Sequence, residues 1–316
     1  MDPVIQVDRL VKTYQKARKP AVDGISLDVA AGEFFAFLGP NGAGKTTTIS
    51  ILTTTLAKTS GTARIGGHDL DTEAQAVREE IGVLFQKASL DQALSAEENV
   101  RLHAAVYGLY PYRPFHRFMP AAYRRQVREL AELMGIADLM GKPVKTLSGG
   151  MQRRLEVMRS LMHAPRILFL DEPTQGLDAM SRRALWTHLQ QVRKERGTTL
   201  FLTTHYIEEA ESADRVCVLN HGRIAMLDTP AGLKQRLTGR HLLVDAEDRA
   251  ALAAELATQP VEVTGAGPLR IAFSTTTAQA IVASLRTPLT LLRIVEPSLE
   301  DAYVRLLGSP AEQEAA

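Results

Sequence analysis

Residues Gly39-Pro40-Asn41-Gly42-Ala43-Gly44-Lys45-Thr46-Thr47 follow the apolar run Phe34 to Leu38 and precede a stretch able to start a helix. Glycines let a backbone turn with its N–H groups inward, so a phosphate chain can lie against the helix N-terminus, where unpaired amides and the helix dipole favour negative charge. Strand, loop and helix in this order make a P-loop, in which Lys45 is expected to reach the β- and γ-phosphates and Thr46 to ligate Mg²⁺. A second strand end, Ile167-Leu168-Phe169-Leu170-Asp171-Glu172, supplies carboxylates. Four apolar residues suit a strand buried on both faces. Asp171 at its end can hold the Mg²⁺ shell, and Glu172 can orient or deprotonate an attacking water. The chemistry implied is hydrolysis of a nucleoside triphosphate.

Between these motifs lies Leu147-Ser148-Gly149-Gly150-Met151-Gln152-Arg153-Arg154. Ser148, Gly149 and Gly150, placed ahead of the helical run Gln152 to Met162, offer a hydroxyl and exposed amides at a helix N-terminus, which is a second anion site. This segment resembles the signature motif of the ABC ATPases. The rest of that family's set is present in order: Gln86 after Ile81 to Phe85 as the Q-loop, Gly176-Leu177-Asp178 as the D-loop, and His205 after Leu200 to Thr204 as the switch histidine. Tyr14 stands where these domains place a ring for adenine to stack on, and the resemblance covers Val4 to Leu237.

The resemblance implies ATP and Mg²⁺ as cofactors, with Thr46, Gln86 and Asp171 at the metal and Lys45, Gln86, Glu172 and His205 as the catalytic set. It also implies a dimer of ATPase subunits, identical or different. In the family, ATP on the Lys45 side of one subunit is closed by the Ser148–Gly150 side of the other, with Asp178 nearby. The more ordinary readings are a core or capping role for His205, a core ring for Tyr14 and a strand-end polar group for Gln86. The basic run Lys16 to Lys19 reads as a solvated loop.

Composition limits the other possibilities. The chain has 316 residues, 45% of them hydrophobic and 23% charged, and a net charge of +1. Such a chain is a globular protein with no field able to gather nucleic acid or an anionic bilayer as a whole, so no nucleic-acid partner is expected. The single cysteine, Cys217, sits in an apolar run and reads as a buried small hydrophobe. No stretch approaches the roughly 18 apolar residues of a membrane span, and the N-terminus lacks a signal-peptide pattern, so a cytoplasmic location is expected, and the resemblance implies a peripheral one at the cytoplasmic face of the cell membrane.

The fold class expected is α/β. Strand candidates are Phe34 to Leu38, Ile81 to Phe85, Ile167 to Leu170, Leu200 to Thr203 and Val216 to Leu219, forming a P-loop domain over residues 1–238 with a helical subdomain at about 95–160. Within that subdomain, Tyr110-Pro111-Tyr112-Arg113-Pro114 predicts a kink or loop. Its neighbours Phe115, Phe118 and Met119 leave two readings open for the 110–122 segment, a partner-docking surface or a packed loop.

Residues 239–316 form a second module, with the boundary near Thr238-Gly239. It runs strand Leu242 to Val244, helix Arg249 to Ala257, strands Val261 to Thr264 and Leu269 to Phe273, helix Ala278 to Leu285 and strand Leu289 to Val295, then a last helix. This β-α-β-β-α-β order is ferredoxin-like. The last helix is predicted to start at a Ser298–Asp301 capping box and to stop at Gly308 and Pro310.

Among ABC subunits, the run Thr203 to Glu211, the strand Phe34 to Leu38 and the ending Glu296 to Tyr303 are similar to the ATP-binding subunits of daunorubicin-resistance and Nod-factor exporters. That likeness implies a separate polytopic ABC-2 type permease and a drug-like, lipid or oligosaccharide cargo. The alternative is a soluble ABC ATPase acting on ribosomes or nucleic acid. Against it stand the single copy of each motif and the roughly hundred residues, without heptads, between Lys45 and Ser148. A chain that only clamps ATP would lack Glu172 or His205, and both are present.

Overall fold

The computed structural model describes residues 3–15, 17–86, 89–237, 241–259, 261–265, 267–272, 278–295 and 298–307. Two compact units divide the chain between Met226 and Leu227. The expected boundary at Thr238-Gly239 lies outside the described residues, as do Lys16, Lys87, Phe273, Glu296, Pro297, Gly308 and Pro310.

The first unit is built from strands β1 (Ile5–Lys12), β2 (Val22–Val29), β3 (Phe34–Leu38), β4 (Ser60–Ile65), β5 (His68–Asp69), β6 (Ile81–Leu84), β7 (Ile167–Asp171), β8 (Thr199–Thr204) and β9 (Arg215–Asn220), with β10 (Arg223–Asp228) leading out of it. Its helices are α1 (Lys45–Leu52), α2 (Ala74–Glu80), α3 (Ala96–Val106), α4 (Ala121–Leu133), α5 (Gly149–Ser160), α6 (Ala179–Arg196) and α7 (Ile207–Ala210). A six-stranded sheet runs in the order β10-β9-β3-β8-β7-β6, with β6, β7, β8, β3 and β9 mutually parallel where they pair.

Every residue of β3, β7 and β8 is buried, which explains why these strands read as uninterrupted apolar runs rather than alternating ones. Phe201 of β8 packs its ring 5.3 Å from Phe35 and 5.2 Å from Phe169, locking the three central strands together. Parallel strands end on one side, so the residues that follow β3, β6, β7 and β8 gather at a common edge. That edge is where α/β sheets bind ligands.

A separate four-stranded antiparallel sheet, β2-β1-β4-β5, has no counterpart among the expected strands. Its central strand β1 carries a register shift between Val7 and Leu10, with Arg9 at φ 46°, so its in-out alternation breaks midway. The helical part contains α3, α4 and α5. Ser95 caps α3 through a reciprocal box with Glu98. Pro111 and Pro114 hold the chain out of helix until Phe115, and a 3₁₀ turn at His116–Phe118 leads to α4.

In the second unit, α8 (Pro230–Leu237) precedes β11 (His241–Ala246), α9 (Arg249–Ala257), β12 (Glu262–Thr264), β13 (Leu269–Ala272), α10 (Ala278–Ser284), β14 (Leu289–Val295) and α11 (Leu299–Leu307). The sheet order is β12-β13-β11-β14 with antiparallel neighbours, the arrangement that the β-α-β-β-α-β order leads to in a ferredoxin-like module. Leu242, Val244, Leu252, Leu256, Ile271 and Ile281 form its core. The backbone N–H of Asp301 donates to Ser298 Oγ at 3.0 Å, and the Ser298 N–H donates to Asp301 Oδ2 at 3.2 Å, so the capping box forms.

Candidate active site

The P-loop joins β3 to α1. Gly44 sits at α1's N-cap with φ 104°, and a Cβ there would lie 2.4 Å from the Ala21 carbonyl oxygen. A Cβ on Gly39 would lie 2.5 Å from the Leu219 carbonyl oxygen. Glycine is therefore required at both positions, by backbone angle and close approach at Gly44 and by close approach at Gly39. No side chain caps α1, which leaves the amides of its first turn for a ligand.

Lys45 is 5% exposed, and its Nζ donates to the carbonyl oxygens of Gly39 at 2.6 Å and Pro40 at 3.0 Å. Burial pushes its pKa down, while Glu172 and Asp171 pull it back up. Beside it, Thr46 Oγ1 donates to Asp171 Oδ1 at 3.4 Å, and Thr203 Oγ1 donates to the same oxygen at 2.5 Å. Asp171 is held above the usual carboxylate range by burial first, with the Thr203 hydroxyl opposing and the Glu172 charge adding. A nearby cation would relieve that penalty. The paired hydroxyl and carboxylate are hard oxygen donors that fit Mg²⁺, an ion usually held by one or two protein carboxylates together with substrate phosphates and water. Among the described residues no cluster of three or more His, Cys, Asp or Glu could hold a metal by itself.

Glu172 follows β7 with φ 46°, a left-handed backbone that costs a non-glycine residue about 1–3 kcal/mol. The turn places its carboxylate between two neighbours: Gln86 Nε2 donates to Oε2 at 3.3 Å, and His205 Nδ1 lies 3.2 Å from Oε1. Gln86 also donates to Gln175 Oε1 at 2.8 Å. Lys45, Thr46, Gln86, Asp171, Glu172 and His205 thus share one edge of the parallel sheet. Tyr14 is 45% exposed beside the loop, with its hydroxyl 3.3 Å from Thr47 Oγ1 and the Lys12 ammonium 5.5 Å from its ring centroid.

The second anion site differs from the sequence expectation in one respect. Helix α5 begins at Gly149, not Gln152, so Gly149 and Gly150 form its first turn and Ser148 is the N-cap, with Oγ accepting from the Met151 N–H at 3.3 Å. Gly150 lies so close to α6 that an added Cβ would meet Ser181 Oγ at 2.6 Å. Asp178 caps α6, accepting from the Ser181 N–H at 2.9 Å and from the Ser181 hydroxyl at 2.7 Å. These bonds hold its carboxyl below the usual range. Among the described residues no hydrogen bond links Ser148, Gly149 or Gly150 to the P-loop of the same chain. Cys217 is buried in β9, and burial pushes its thiol well up.

Two residues with no role assigned from sequence hold the site together. Arg153 of α5 is buried and donates to the carbonyl oxygens of Pro173 at 2.8 Å, Phe85 at 2.7 Å and Asp171 at 3.3 Å, and to Glu156 at 3.0 Å. It ties the helix behind the second anion site to the chain on either side of Gln86 and Glu172. Glu209 of α7, 5% exposed, accepts from Thr204 Oγ1 at 2.6 Å, from Trp186 Nε1 at 3.2 Å and from Thr174 Oγ1. One carboxylate thereby fixes the residue before His205, the second residue after Glu172, and helix α6. Acidic and basic residues inside a helical run read as solvent-facing, and only their side-chain bonds reveal the difference.

The sequence family described as ABC transporter matches residues 22–175. The daunorubicin/doxorubicin resistance ATP-binding protein DrrA of Streptomyces peucetius is 37% identical over 98% of this chain and 93% of its own length. The Nod factor export ATP-binding protein I of Paraburkholderia xenovorans is 35% identical over 97% of this chain and 98% of its own. A dimeric ATP-binding cassette, solved in a post-hydrolysis state with ADP and Pi, is similar with a TM-score of 0.62 and 26% identity, covering 71% of this chain and 98% of that one. The chain belongs to the ABC transporter family, as one of its ATP-binding proteins. It is an ATPase. Among the described residues no helix is long and apolar enough to cross a membrane.

Proposed function

We propose that this chain powers an ABC-2 type exporter as one of two ATPase subunits, bound peripherally to a polytopic permease at the cytoplasmic face of the membrane. The observation that carries the catalytic part is the convergence of Gln86 and His205 on the Glu172 carboxylate, beside Lys45, Thr46 and Asp171. In this reading the ATP phosphates lie along the amides of Gly39 to Thr47, adenine stacks on Tyr14, and Lys45 exchanges its loop carbonyls for the β- and γ-phosphates. Mg²⁺, held by Thr46, Asp171 and Gln86, would supply charge neutralisation at the phosphate oxygens. Glu172 orients the attacking water and accepts its proton as oxygen bonds to the γ-phosphorus and the bond to ADP breaks. His205 holds Glu172 and contacts the γ-phosphate. Asp171 is pushed up by burial in the free site, so ligand binding favours its ionised form.

Ser148, Gly149 and Gly150 close the ATP held by the other subunit, and Asp178 positions the neighbouring strand of chain. Loss of the γ-phosphate removes the group both subunits grip and releases them. The cassette solved as a dimer with ADP and Pi supports this arrangement by likeness. A cavity of about 400 Å³, lined by Thr54, Arg78, Phe85, His103, Tyr107 and Arg159, opens beside the Gln86 segment and suits a short helix of a permease.

The relatives in drug resistance and Nod-factor export support a drug-like, lipid or oligosaccharide cargo. They lend no support to the ribosome or nucleic-acid alternative. The deciding experiment is gentle extraction of the tagged protein from its own membranes, followed by mass spectrometry. A stoichiometric polytopic partner is expected. Recovery of ribosomal or nucleic-acid components alone would remove the exporter reading and leave the ATPase.

A further inference from the structure

From Asn99 to Arg128 the sequence carries six arginines and not one aspartate or glutamate, in a chain whose net charge is only +1. Arg101 is buried and paired with Glu97 at 3.4 Å and Glu98 at 3.6 Å. Arg113, Arg117, Arg124, Arg125 and Arg128 are exposed, and none of them has an ion pair among the described residues. Residues 111–118 are all exposed, including Tyr112, Phe115 and Phe118 at 56% each. Arg117 lies across both phenylalanine rings, its guanidinium 5.4 Å from the Phe115 centroid and 4.7 Å from that of Phe118.

This segment is anchored. Arg101 donates to the Arg113 carbonyl at 3.0 Å, His116 Nδ1 lies 3.0 Å from Glu97 Oε1, the Tyr110 hydroxyl donates to Gln126 at 3.0 Å, and Met119 is buried. The fold thus presents apolar rings and unpaired cations outward on a fixed base; the carboxylates in that base, Glu97 and Glu98, are already engaged by Arg101, and Glu129 and Glu132 follow, exposed, in the C-terminal half of α4. Phenylalanine has no polar atom, so its rings gain only by leaving water. Arginine gains most from phosphate oxygens. A medium that offers both together is the boundary between anionic headgroups and acyl chains. Single-stranded nucleic acid would need open ring faces for its bases, and here Arg117 covers them while the two rings meet edge-on at 77°.

We propose that the 111–128 face is a lipid-contact surface, docking the subunit directly on the anionic leaflet of the membrane through phosphate-bound arginines and inserted Phe115 and Phe118. The proposal goes beyond the exporter reading and needs no permease. The test is co-flotation of the purified full-length protein with phosphatidylcholine vesicles, with and without phosphatidylglycerol, at low and high salt. Binding to the anionic vesicles, weakened by salt, is expected. Each of Arg113→Gln and Arg117→Gln should weaken it about fivefold, and Phe115→Ser with Phe118→Ser about tenfold or more, while ATPase activity stays unchanged. Equal affinity for neutral vesicles, no binding at low salt, or undiminished binding by both sets of variants would overturn the proposal and leave the face to an acidic protein partner. Each outcome leaves the permease co-purification untouched, so the two readings fail separately.

Discussion

The two helix N-termini proposed to grip phosphate are built in opposite ways. At α1 the cap is a glycine at φ 104° with no side-chain bond, and a buried lysine follows it. At α5 the cap is Ser148, whose hydroxyl is already used on the Met151 N–H, and the first turn carries two glycines and no charge. The first end has free amides, a cation and carboxylates within reach, so it can hold a nucleotide alone. The second has little to hold an anion with by itself. It suits closing over a ligand that another subunit has already fixed. On the proposed reading, a single-copy chain with one strong and one weak half-site is incomplete by itself, and association with a second subunit would supply what it lacks.

The sharpest way to break this comparison is to disable each half separately. Glu172→Gln is expected to retain ATP but slow hydrolysis by on the order of 10² to 10⁴, trapping the dimer on size-exclusion chromatography. Unchanged turnover would remove Glu172 from its role. Lys45→Ala should lose nucleotide binding. Gly150→Ala should bind ATP normally, since the P-loop is untouched, yet lose most turnover, because its Cβ collides with Ser181. Mixing the inactive Lys45→Ala and Gly150→Ala proteins should then restore hydrolysis, since a mixed dimer keeps one site with both halves intact. If the mixture stays inactive, the two halves do not meet across a dimer.

Much of the strong half was legible in the sequence, because buried parallel strands announce themselves as apolar runs and the chemistry sits at their ends. β3, α9 and β14 have the bounds their patterns predict, β7 extends the expected run by one residue at its end, and β8 by one residue at each end. The β2-β1-β4-β5 sheet was not legible, since a half-buried strand is recognised by alternation, and the register shift after Val7 breaks it. Nor was the start of α5, where two glycines argue against helix until Ser148 caps them. Arg153 and Glu209 stayed hidden for another reason. Beyond the nearby Glu156 and Thr204, Arg153 reaches the carbonyls of Asp171, Pro173 and Phe85, 18, 20 and 68 residues away, and Glu209 reaches Trp186 and Thr174, 23 and 35 residues away, which no local pattern records.

Glu209 sharpens the comparison from the strong side. Replacing it with glutamine keeps the shape but sets an amide NH₂ against donors, and the Thr204 seat of His205 should loosen. We expect Glu209→Gln to lower kcat about tenfold with little change in KM, and to add nothing in a His205→Ala background. Trp186 is the only tryptophan and donates to Glu209, so its emission reports the altered hub without any label. A full additional loss in the His205→Ala background would mean that Glu209 acts elsewhere.

The smallest expected effect concerns the seat of α5. Burial, with Arg159 and His163 nearby, lowers the His103 pKa to about 4 from 6.5, and burial lowers that of His163 as well. Arg159 belongs to the last turn of α5, so a proton on His103 places a second cation against the far end of the helix that carries Ser148. Between pH 6.5 and about 4 the unfolded imidazole is protonated while the folded one is not. The unfolded chain therefore binds more protons, and stability falls as pH falls through that window, while His103 contributes no slope above it. Thermal denaturation should show Tm dropping by a few degrees on acidification. His103→Gln should flatten that limb without altering ATP affinity at neutral pH, because His103 packs against Tyr107 and lies near Arg159 and His163, none of them a group proposed to hold ATP. An unaltered acid limb in the variant would assign the loss to other groups, and reduced ATP affinity at neutral pH would show that the two halves are coupled within one chain.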